Sequence, residues 1–333
     1  MRARDLLILA AVILLAGFAV ADAIRGNGSS RALPESETKP STTVEVDLNP
    51  PPELGRERFE AVPGAPGSVV FTEAGDCPVR EVQVSVGDEL PNAVPRSTCE
   101  LWAAPVTPKV AVGIAPVRGD AVPFRFVDLS RGQRSLGTST ALFGFLTWSA
   151  DGQRAAWCNE RRVAIDLELG GSKRRLRQCP AAYTPDGEVA FASGNRVVAG
   201  GRTILRASGT ITFVRFGTDG SVAIGVEGRR VERYAGGRPV GGAALAGALE
   251  GRLPTFSPDN CAALVRSGNL LRPLDLGCSR LGDRSFPGWA AAWSPDGRFL
   301  AAADQGELRF YDLETRRQVA SWPVTALALA WRR

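Results

Sequence analysis

Histidine is absent from this sequence of 333 residues. Histidine is the usual general base near neutral pH and the commonest protein ligand for metal ions. Its absence excludes Ser-His-Asp and Cys-His catalysis, and it excludes zinc or haem sites that depend on a histidine ligand. Chemistry carried by carboxylates alone and Ca²⁺ sites built from oxygen ligands remain open.

Lysine is scarce as well, so arginine supplies nearly all of the positive charge, and the formal net charge is +5. The basic clusters at 160–162, 172–179 and 315–317 have no aromatic residues alternating with their arginines. A platform for single-stranded nucleic acid would need such aromatics. We interpret the clusters as solvated strands and turns, with contact to an anionic surface as the alternative, and we expect no nucleic-acid partner.

The N-terminal sequence MRARDLLILAAVILLAGFAVADAIRG joins a basic start to an apolar run. A helix over 6–21 would span about 24 Å, and continuing it to Ile24 nearly matches the ~30 Å hydrocarbon core of a bilayer. We therefore predict a cytoplasmic stub at 1–5 and a signal-anchor helix at 6–24, with the bulk of the chain outside the cytoplasmic membrane. A removable signal peptide cleaved near the small residues 19–23 is the alternative, and it would make the protein secreted.

The stretch that follows is rich in Ser, Thr, Pro and Glu and contains few large apolar residues. Such a segment cannot bury enough surface to offset the entropy that ordering it would cost. We predict a disordered linker at 25–64 that holds a folded domain, residues 65–333, away from the membrane.

Residues 100–333 repeat one pattern: an apolar strand ending in an aromatic residue, a turn such as Ser-x-Asp-Gly, and further short apolar strands. The aromatic residues are 33 to 46 residues apart. They are Trp102, Trp148, Tyr183, Phe216, Phe256, Trp293 and Trp331. A period of about 40 residues with several short strands is typical of a β-propeller, whose blades bury their apolar faces by stacking in a ring. We expect these aromatics to lie in the core between blades rather than in a ligand-binding box.

The ends of the repeated region complement each other. TALALAW matches a first strand with no others after it, whereas GSVVFTE and VREVQVSV, within 67–86, are strands with no first strand before them. Joining them completes a blade and removes the exposed edge of an open ring. We predict an all-β fold, a seven-bladed β-propeller, with six blades as the alternative if the weaker stretch 66–142 makes fewer.

The repeated motif, as in FLTWSADGQRAAWC and WAAAWSPDGRFLAAA, resembles the TolB-type, WD-like propeller repeats of bacterial extracytoplasmic proteins. The resemblance covers about residues 100–333, and it implies a fold rather than an activity because the Asp-Gly positions make turns. The separate N-terminal α/β domain of TolB has no counterpart here. The role and the lipoprotein partner of TolB therefore do not carry over.

The chain has six cysteines, and an exported chain is expected to join them in disulfides. In the predicted blade register the first four cysteines lie on one rim of the ring and the last two on the opposite rim. The predicted pairs of neighbours are Cys77–Cys99, Cys158–Cys179 and Cys261–Cys278. No C-x-x-C is present and no histidine could activate a thiolate, which argues against a metal-thiolate site or a catalytic thiol.

Two sets of aspartates recur in the repeat. The first set lies in the turns, one per blade, where side chains cap their own turns more readily than they assemble a Ca²⁺ cage. It consists of Asp151, Asp186, Asp219, Asp259 and Asp296. The second set ends third strands and consists of Asp128, Asp166 and Asp312. Paired carboxylates could hydrolyse a glycan, but recurrence in one phase favours a structural role for them.

Residues 235–251, AGGRPVGGAALAGALEG, are rich in Gly and Ala. A phosphate-binding loop would need Gly-Lys-Ser/Thr leading into a helix, and no lysine is present. We predict a flexible loop between blades.

These patterns favour a non-catalytic, membrane-tethered, monomeric propeller that binds a protein or a component of the cell envelope, without a cofactor. The alternative is a carboxylate-dependent hydrolase or lyase acting on glycans, with its site in the central funnel. Converging carboxylates about 5 to 10 Å apart in that funnel would favour the enzyme. A sensor ectodomain is a third hypothesis, which the short stub at 1–5 makes difficult to connect to signalling.

Overall fold

The computed structural model describes residues 59–75, 77–90, 100–113, 121–131, 134–142, 146–159, 164–169, 173–175, 178–245, 253–278 and 281–333. These residues form seven four-stranded antiparallel sheets. Each sheet contacts the sheets on either side of it, so the seven sheets form a closed ring. The predicted all-β, seven-bladed propeller is therefore confirmed.

The strands are numbered in chain order, and the blades are numbered from the first complete one. The closing blade, blade 7, takes β1 (Ser68–Glu73), β2 (Val79–Gln83) and β3 (Asp88–Leu90) from the start of the domain. Blade 1 consists of β4 (Leu101–Ala103), β5 (Lys109–Gly113), β6 (Ala121–Asp128) and β7 (Arg134–Leu142), with a 3-10 turn at Leu129–Arg131. Blade 2 consists of β8 (Leu146–Trp148), β9 (Arg154–Cys158), β10 (Ala164–Glu168) and β11 (Lys173–Arg175). Blade 3 consists of β12 (Ala181–Tyr183), β13 (Val189–Ser193), β14 (Arg196–Ala199) and β15 (Arg202–Arg206).

The second half of the ring continues in the same way. Blade 4 consists of β16 (Ile211–Phe216), β17 (Val222–Val226), β18 (Arg230–Ala235) and β19 (Arg238–Ala244). Blade 5 consists of β20 (Thr255–Phe256), β21 (Ala262–Ser267), β22 (Leu270–Asp275) and β23 (Phe286–Pro287). Blade 6 consists of β24 (Ala290–Trp293), β25 (Phe299–Asp304), β26 (Glu307–Asp312) and β27 (Arg317–Trp322). The last strand, β28 (Ala326–Arg332), is the innermost strand of blade 7.

The turn between the first and second strands explains the repeated Ser-x-Asp-Gly motif. In blade 6 the hydroxyl of Ser294 donates to Asp296 Oδ1 at 2.5 Å and accepts from the backbone N–H of Phe299 at 2.8 Å. Asp296 Oδ1 also accepts from the N–H of Arg298, and Gly297 takes the positive φ that closes the turn. We call the rim that carries these turns the turn rim, and the opposite rim, where one blade passes to the next, the connection rim.

Aromatic side chains lie between blades, as predicted. The indole N–H of Trp148 donates to the carbonyl of Trp102 in the preceding blade at 3.2 Å. Trp293 donates to the carbonyl of Thr255 in the same way at 3.1 Å. The polar edge of each indole is thereby paired while its apolar body is packed between two sheets.

The ring closes through the pairing predicted from the two ends. β28 pairs antiparallel with β1, with Val69 opposite Trp331. The indole of Trp331 also donates to the carbonyl of Pro66 at 2.7 Å. Blade 7 therefore combines the first three strands of the domain with the last one.

The predicted start of the domain at residue 65 is too late. Phe59 packs on Trp322 with ring centroids 4.9 Å apart, and Val62 is fully buried. Phe59 and Val62 also donate backbone hydrogen bonds to Gly87 and Val84 of blade 7. Two large apolar side chains in a polar stretch are enough to dock it, so the end of the predicted linker 25–64 is a packed strap, residues 59–66.

The predicted stub at 1–5, the helix at 6–24 and the linker up to residue 58 lie outside the described residues. Within the ranges that the structure describes, no helix has the length and apolar character needed to cross a membrane.

The predicted flexible loop at 235–251 is wrong for its first part, since Arg238–Ala244 forms β19, the outermost strand of blade 4. The glycines permit this because β19 lies close to the backbone of blade 5. A Cβ on Gly241 would stand 2.1 Å from the carbonyl oxygen of Leu276. Residues 246–251 lie outside the described residues.

Two disulfides have both of their cysteines among the described residues. Cys158 pairs with Cys179 at the connection rim, with Cα atoms 5.9 Å apart, and Cys261 pairs with Cys278 at the turn rim, with Cα atoms 5.3 Å apart. Both pairs and both rims match the prediction. Of the third predicted pair, Cys77 is disulfide-bonded and Cys99 lies outside the described residues.

Candidate functional site: the central channel

The first strands of the seven blades surround a central channel with a volume of about 1340 Å³. The lining reaches from Glu100 and Leu253 at the connection rim to Pro105 and Thr218 at the turn rim. First strands twist away from the axis of a propeller, so a channel of this kind follows from the fold itself. What this chain adds is the chemistry of the side chains that line it.

The lining is apolar and basic. The aromatic residues of the repeat contribute to it, including Trp102, Trp148, Phe216, Trp293 and Trp331. Four arginines also line it, namely Arg215, Arg266, Arg272 and Arg333. Among the lining residues that the structure describes, Glu100 is the one acidic side chain. The channel wall therefore combines apolar side chains with polar groups and carries an excess of positive charge.

Arg215 is held in a defined position between blades 4 and 5. Its Nε donates to Asn260 Oδ1 at 3.1 Å, and its guanidinium carbon lies 5.6 Å from the centre of the Phe256 ring. The Asn260 amide in turn donates to the carbonyl of Ser221 at 3.2 Å. Burial lowers the pKa of Arg215 to about 10, and the guanidinium is still charged at neutral pH.

Blade 5 opens the channel sideways. Its first strand, β20, has only two residues, and the second and third strands of this blade, β21 and β22, contribute to the channel lining. Pro254 precedes β20, and a proline cannot donate a ladder hydrogen bond that would extend the strand. Leu253, at the mouth of this widened part, is 36% exposed.

The strand-end aspartates are placed on the turn rim, and the structure does not bring them together. Asp312 accepts from Arg298 at 2.7 Å and from the backbone N–H of Glu314 at 2.9 Å. Asp166 pairs with Arg154 and accepts from the hydroxyl of Tyr183 at 2.6 Å. Asp128 accepts from the hydroxyl and the backbone N–H of Ser130. None of the three belongs to the described lining of the channel.

These contacts shift the pKa values of Asp312 and Tyr183. The hydrogen bond from Arg298 lowers the pKa of Asp312 below its ordinary value. Burial, followed by the hydrogen bond to Asp166, raises the pKa of Tyr183 far above its ordinary value. Tyr183 therefore serves as a permanent hydrogen-bond donor that links blade 3 to blade 2.

The turn aspartates cap their turns, as predicted for four of the five. Asp151, Asp259 and Asp296 accept from a serine two residues earlier and from a backbone N–H two residues later, and Asp219 accepts from the N–H of Ser221. In the turn with Asp186 the threonine hydroxyl of Thr184 accepts from the N–H of Glu188 instead. No group of three acidic or cysteine side chains that could hold a metal ion occurs among the described residues.

The basic clusters contribute no residue to the described channel lining. Lys173–Arg175 forms the exposed outermost strand β11, and 315–317 consists of two exposed turn residues and the exposed first residue of β27. The cluster at 160–162 lies outside the described residues.

Sequence reasoning missed Arg215. It precedes the repeat aromatic Phe216, and the equivalent positions in the other repeats are uncharged: Leu101, Thr147, Ala182, Thr255, Ala292 and Ala330. The sequence did contain a signal for Arg215, because a charged residue stands there at a repeat position that is uncharged in the other blades.

No family model and no curated protein sequence matches this chain. Among solved structures it is similar to the β-propeller domain of Cps50 (Swd1) from Myceliophteria thermophila, with 14% sequence identity and a TM-score of 0.48. The similarity covers 71% of this chain and 90% of that domain. It concerns the type of fold alone, and the number of blades rests on the seven sheets themselves.

Proposed function

We propose that this chain is a non-catalytic binding propeller of the TolB-like, WD-like type that holds a protein or cell-envelope component at its central channel. The observation that supports this proposal most directly is the channel lining. It combines apolar and basic side chains, and Glu100 is its one acidic side chain among the described residues. Such a lining suits binding by apolar contact and charge complementarity.

The location we propose is the outer side of the cytoplasmic membrane, with the apolar run 6–24 as the tether. Two disulfides in loops of the propeller are consistent with an oxidising compartment. The strap 59–66 would then be the point at which the tether joins the folded domain.

The alternative function, a carboxylate-dependent hydrolase or lyase, needs two carboxylates that converge on a substrate. The candidates from the repeat are engaged on the turn rim, with Asp166 bound to Arg154 and Asp312 bound to Arg298. This arrangement favours the binding function over the enzyme.

The two mouths of the channel offer a direct test, because each carries an exposed apolar residue. Val106 at the turn rim is 41% exposed and Leu253 at the connection rim is 36% exposed. Val240, on the outermost strand of blade 4 and outside the channel, is 46% exposed and provides a matched control. We propose affinity capture from a cell-envelope extract of the source organism with the full chain and with Val106→Arg, Leu253→Arg and Val240→Arg.

The expected result is a partner that the wild type and Val240→Arg recover and that one mouth variant loses, which also identifies the binding face. Equal recovery by all four proteins would place binding elsewhere on the surface. Turnover of a glycan panel by the wild type, without any recovered partner, would reverse the choice between binding protein and enzyme.

A further inference from the structure

Arg215 has no ion pair among the described residues. Ion pairs with an Asp or Glu side chain are formed there by six arginines, namely Arg80, Arg154, Arg233, Arg298, Arg309 and Arg332. Among the described residues no carboxylate faces Arg215, and burial alone shifts its pKa. Arg215 is partly exposed through the channel, so a ligand that displaces the water there must itself supply a negative charge to offset the desolvation of the guanidinium.

The guanidinium is also oriented for a ligand. Asn260 occupies its Nε, and the Phe256 ring supports one face. Asn260 is itself fully buried and adopts a positive φ of 55° in its turn, so its amide is a fixed support. The two terminal nitrogens of Arg215 have no hydrogen-bond partner among the described residues, and the residue lines the channel. Two parallel N–H donors in one plane match the two oxygens of a carboxylate.

The surroundings of Arg215 indicate what carries that carboxylate. Phe216, Trp148 and Trp102 line the same channel and are partly exposed, so they offer apolar surface to a ligand. The volume of about 1340 Å³ exceeds the ~300 to 1,000 Å³ of ordinary small-molecule pockets. A polyphosphate or an acidic polysaccharide bears a charge at every repeat, and most of those charges would be left against apolar walls. A peptide segment combines one or two acidic groups with apolar neighbours and fits both features.

We propose that Arg215 anchors a carboxylate of an acidic peptide segment, flanked by apolar residues, that a protein partner inserts into the central channel. This inference rests on the proposed binding function and names the chemistry of its ligand. Arg266 and Arg272, which line the widened part of the channel at blade 5, add positive potential along the path.

The probe is a displayed library of random short peptides, selected on the immobilised full chain under oxidising conditions. We expect enriched peptides to contain Asp or Glu beside apolar residues. Their affinity should fall about tenfold or more in Arg215→Gln, because hydrogen bonds to a charged partner are lost, and should fall less in Arg215→Lys, which keeps the charge without the planar fork. Arg229→Gln removes the same charge from an exposed hairpin outside the channel and should leave affinity unchanged.

A second pair of variants avoids any loss of folding at Arg215. Thr218 is exposed and lies at the turn-rim mouth of the channel. Thr218→Glu adds a carboxylate that competes for the cationic channel and should weaken binding of the selected peptides, whereas Thr218→Gln should not. Thermal melts of all variants identify any that fail to fold.

The outcomes separate this inference from the proposed function. Peptides that bind Arg215→Gln and Thr218→Glu as tightly as wild type would overturn the carboxylate anchor while leaving a peptide-binding propeller. Absence of any enriched peptide, or tighter binding of polyphosphate than of every peptide, would overturn the inference even if Val106→Arg or Leu253→Arg still loses a partner. Glycan turnover without binding would overturn both.

Discussion

Arg332 and Glu81 form an ion pair inside blade 7, with Arg332 Nε 2.7 Å from Glu81 Oε1. Their side chains are only 9% and 3% exposed. Arg332 lies on the last strand, β28, and Glu81 on the third strand of the blade, β2, with β1 between them. The pair therefore adds a charge-assisted contact at the point where the two ends of the domain meet.

Glu81→Gln should destabilise the protein by about 3 to 5 kcal/mol, because it leaves the Arg332 charge buried without its counter-ion. Replacing both residues, as Glu81→Leu with Arg332→Leu, should cost less than the single change because no buried charge remains. Urea unfolding followed by tryptophan fluorescence measures both. A double variant that is less stable than Glu81→Gln would contradict this account of the closure.

Phe59→Ala should lower the free energy of unfolding by about 2 kcal/mol, less than the ~3 to 5 kcal/mol of a fully buried Phe→Ala change. The ring packs on Trp322 and lies 5.0 Å from the guanidinium carbon of Arg80, but it keeps some exposure. Val86 lies in blade 7, beside the strap, and is 52% exposed. The free energy of unfolding of Val86→Ala should therefore stay within about 0.5 kcal/mol of that of the wild type. Equal effects of the two changes in urea unfolding would mean that the strap does not stabilise the propeller.

Acid should weaken the propeller through Asp312. Its pKa in the folded protein is lowered from an ordinary value of 3.8, mainly by the hydrogen bond from Arg298. The unfolded chain therefore binds a proton first, so the contribution of Asp312 is fully present above pH 3.8 and is lost as the pH falls through the lower folded-state pKa.

Asp312→Asn should be less stable than wild type at neutral pH, and the difference should shrink below pH 3.8. Glu314→Gln is the matched control, because it changes a 74% exposed partner of the same arginine and should have little effect. The measurement is the urea midpoint of unfolding for the wild type and both variants, from neutral pH to below pH 3.8. A difference that is constant with pH would show that the Asp312 charge does not contribute.

Each described disulfide should stabilise the fold by about 3 kcal/mol in the chain-entropy model, because the linked cysteines are 21 and 17 residues apart. Cys158→Ser/Cys179→Ser and Cys261→Ser/Cys278→Ser should therefore cost similar amounts in urea unfolding. Peptide mapping without reductant should recover both bridges and Cys77–Cys99 as the third. A free thiol in the denatured, unreduced chain would contradict this set of pairs.

The turns could be predicted because they depend on local sequence, and the repeat favoured seven blades with six as the alternative. Ser294 and Asp296 are two residues apart, and their hydrogen bonds close within one turn, so the motif that encodes them is visible in the chain. The same holds for the pairing of Val69 with Trp331, since each partial blade lacks the strand that the other supplies.

Features that depend on distances between blades could not be predicted in this way. β19 is rich in glycine and has little apolar periodicity, and its formation depends on the close approach of Gly241 to Leu276 in the next blade. The strap was missed because one buried Val62 and one packed Phe59 are too few to stand out in a polar stretch.

The sequence by itself predicted an all-β ring, favoured seven blades over six, and predicted the closure of the ring and two disulfide pairs that the structure shows, because turn chemistry, strand period and cysteine position all act over short stretches of chain. Only the tertiary structure decided that Arg215 lines the central channel on Phe256 and Asn260 without a carboxylate partner among the described residues. The strand-end aspartates and Arg215 are all charged groups in short strands. The aspartates find partners within their own blade, as Asp312 does with Arg298. The surroundings of Arg215 depend instead on blade 5, which supplies Asn260 and Phe256, and that neighbour is set by the curvature of the ring.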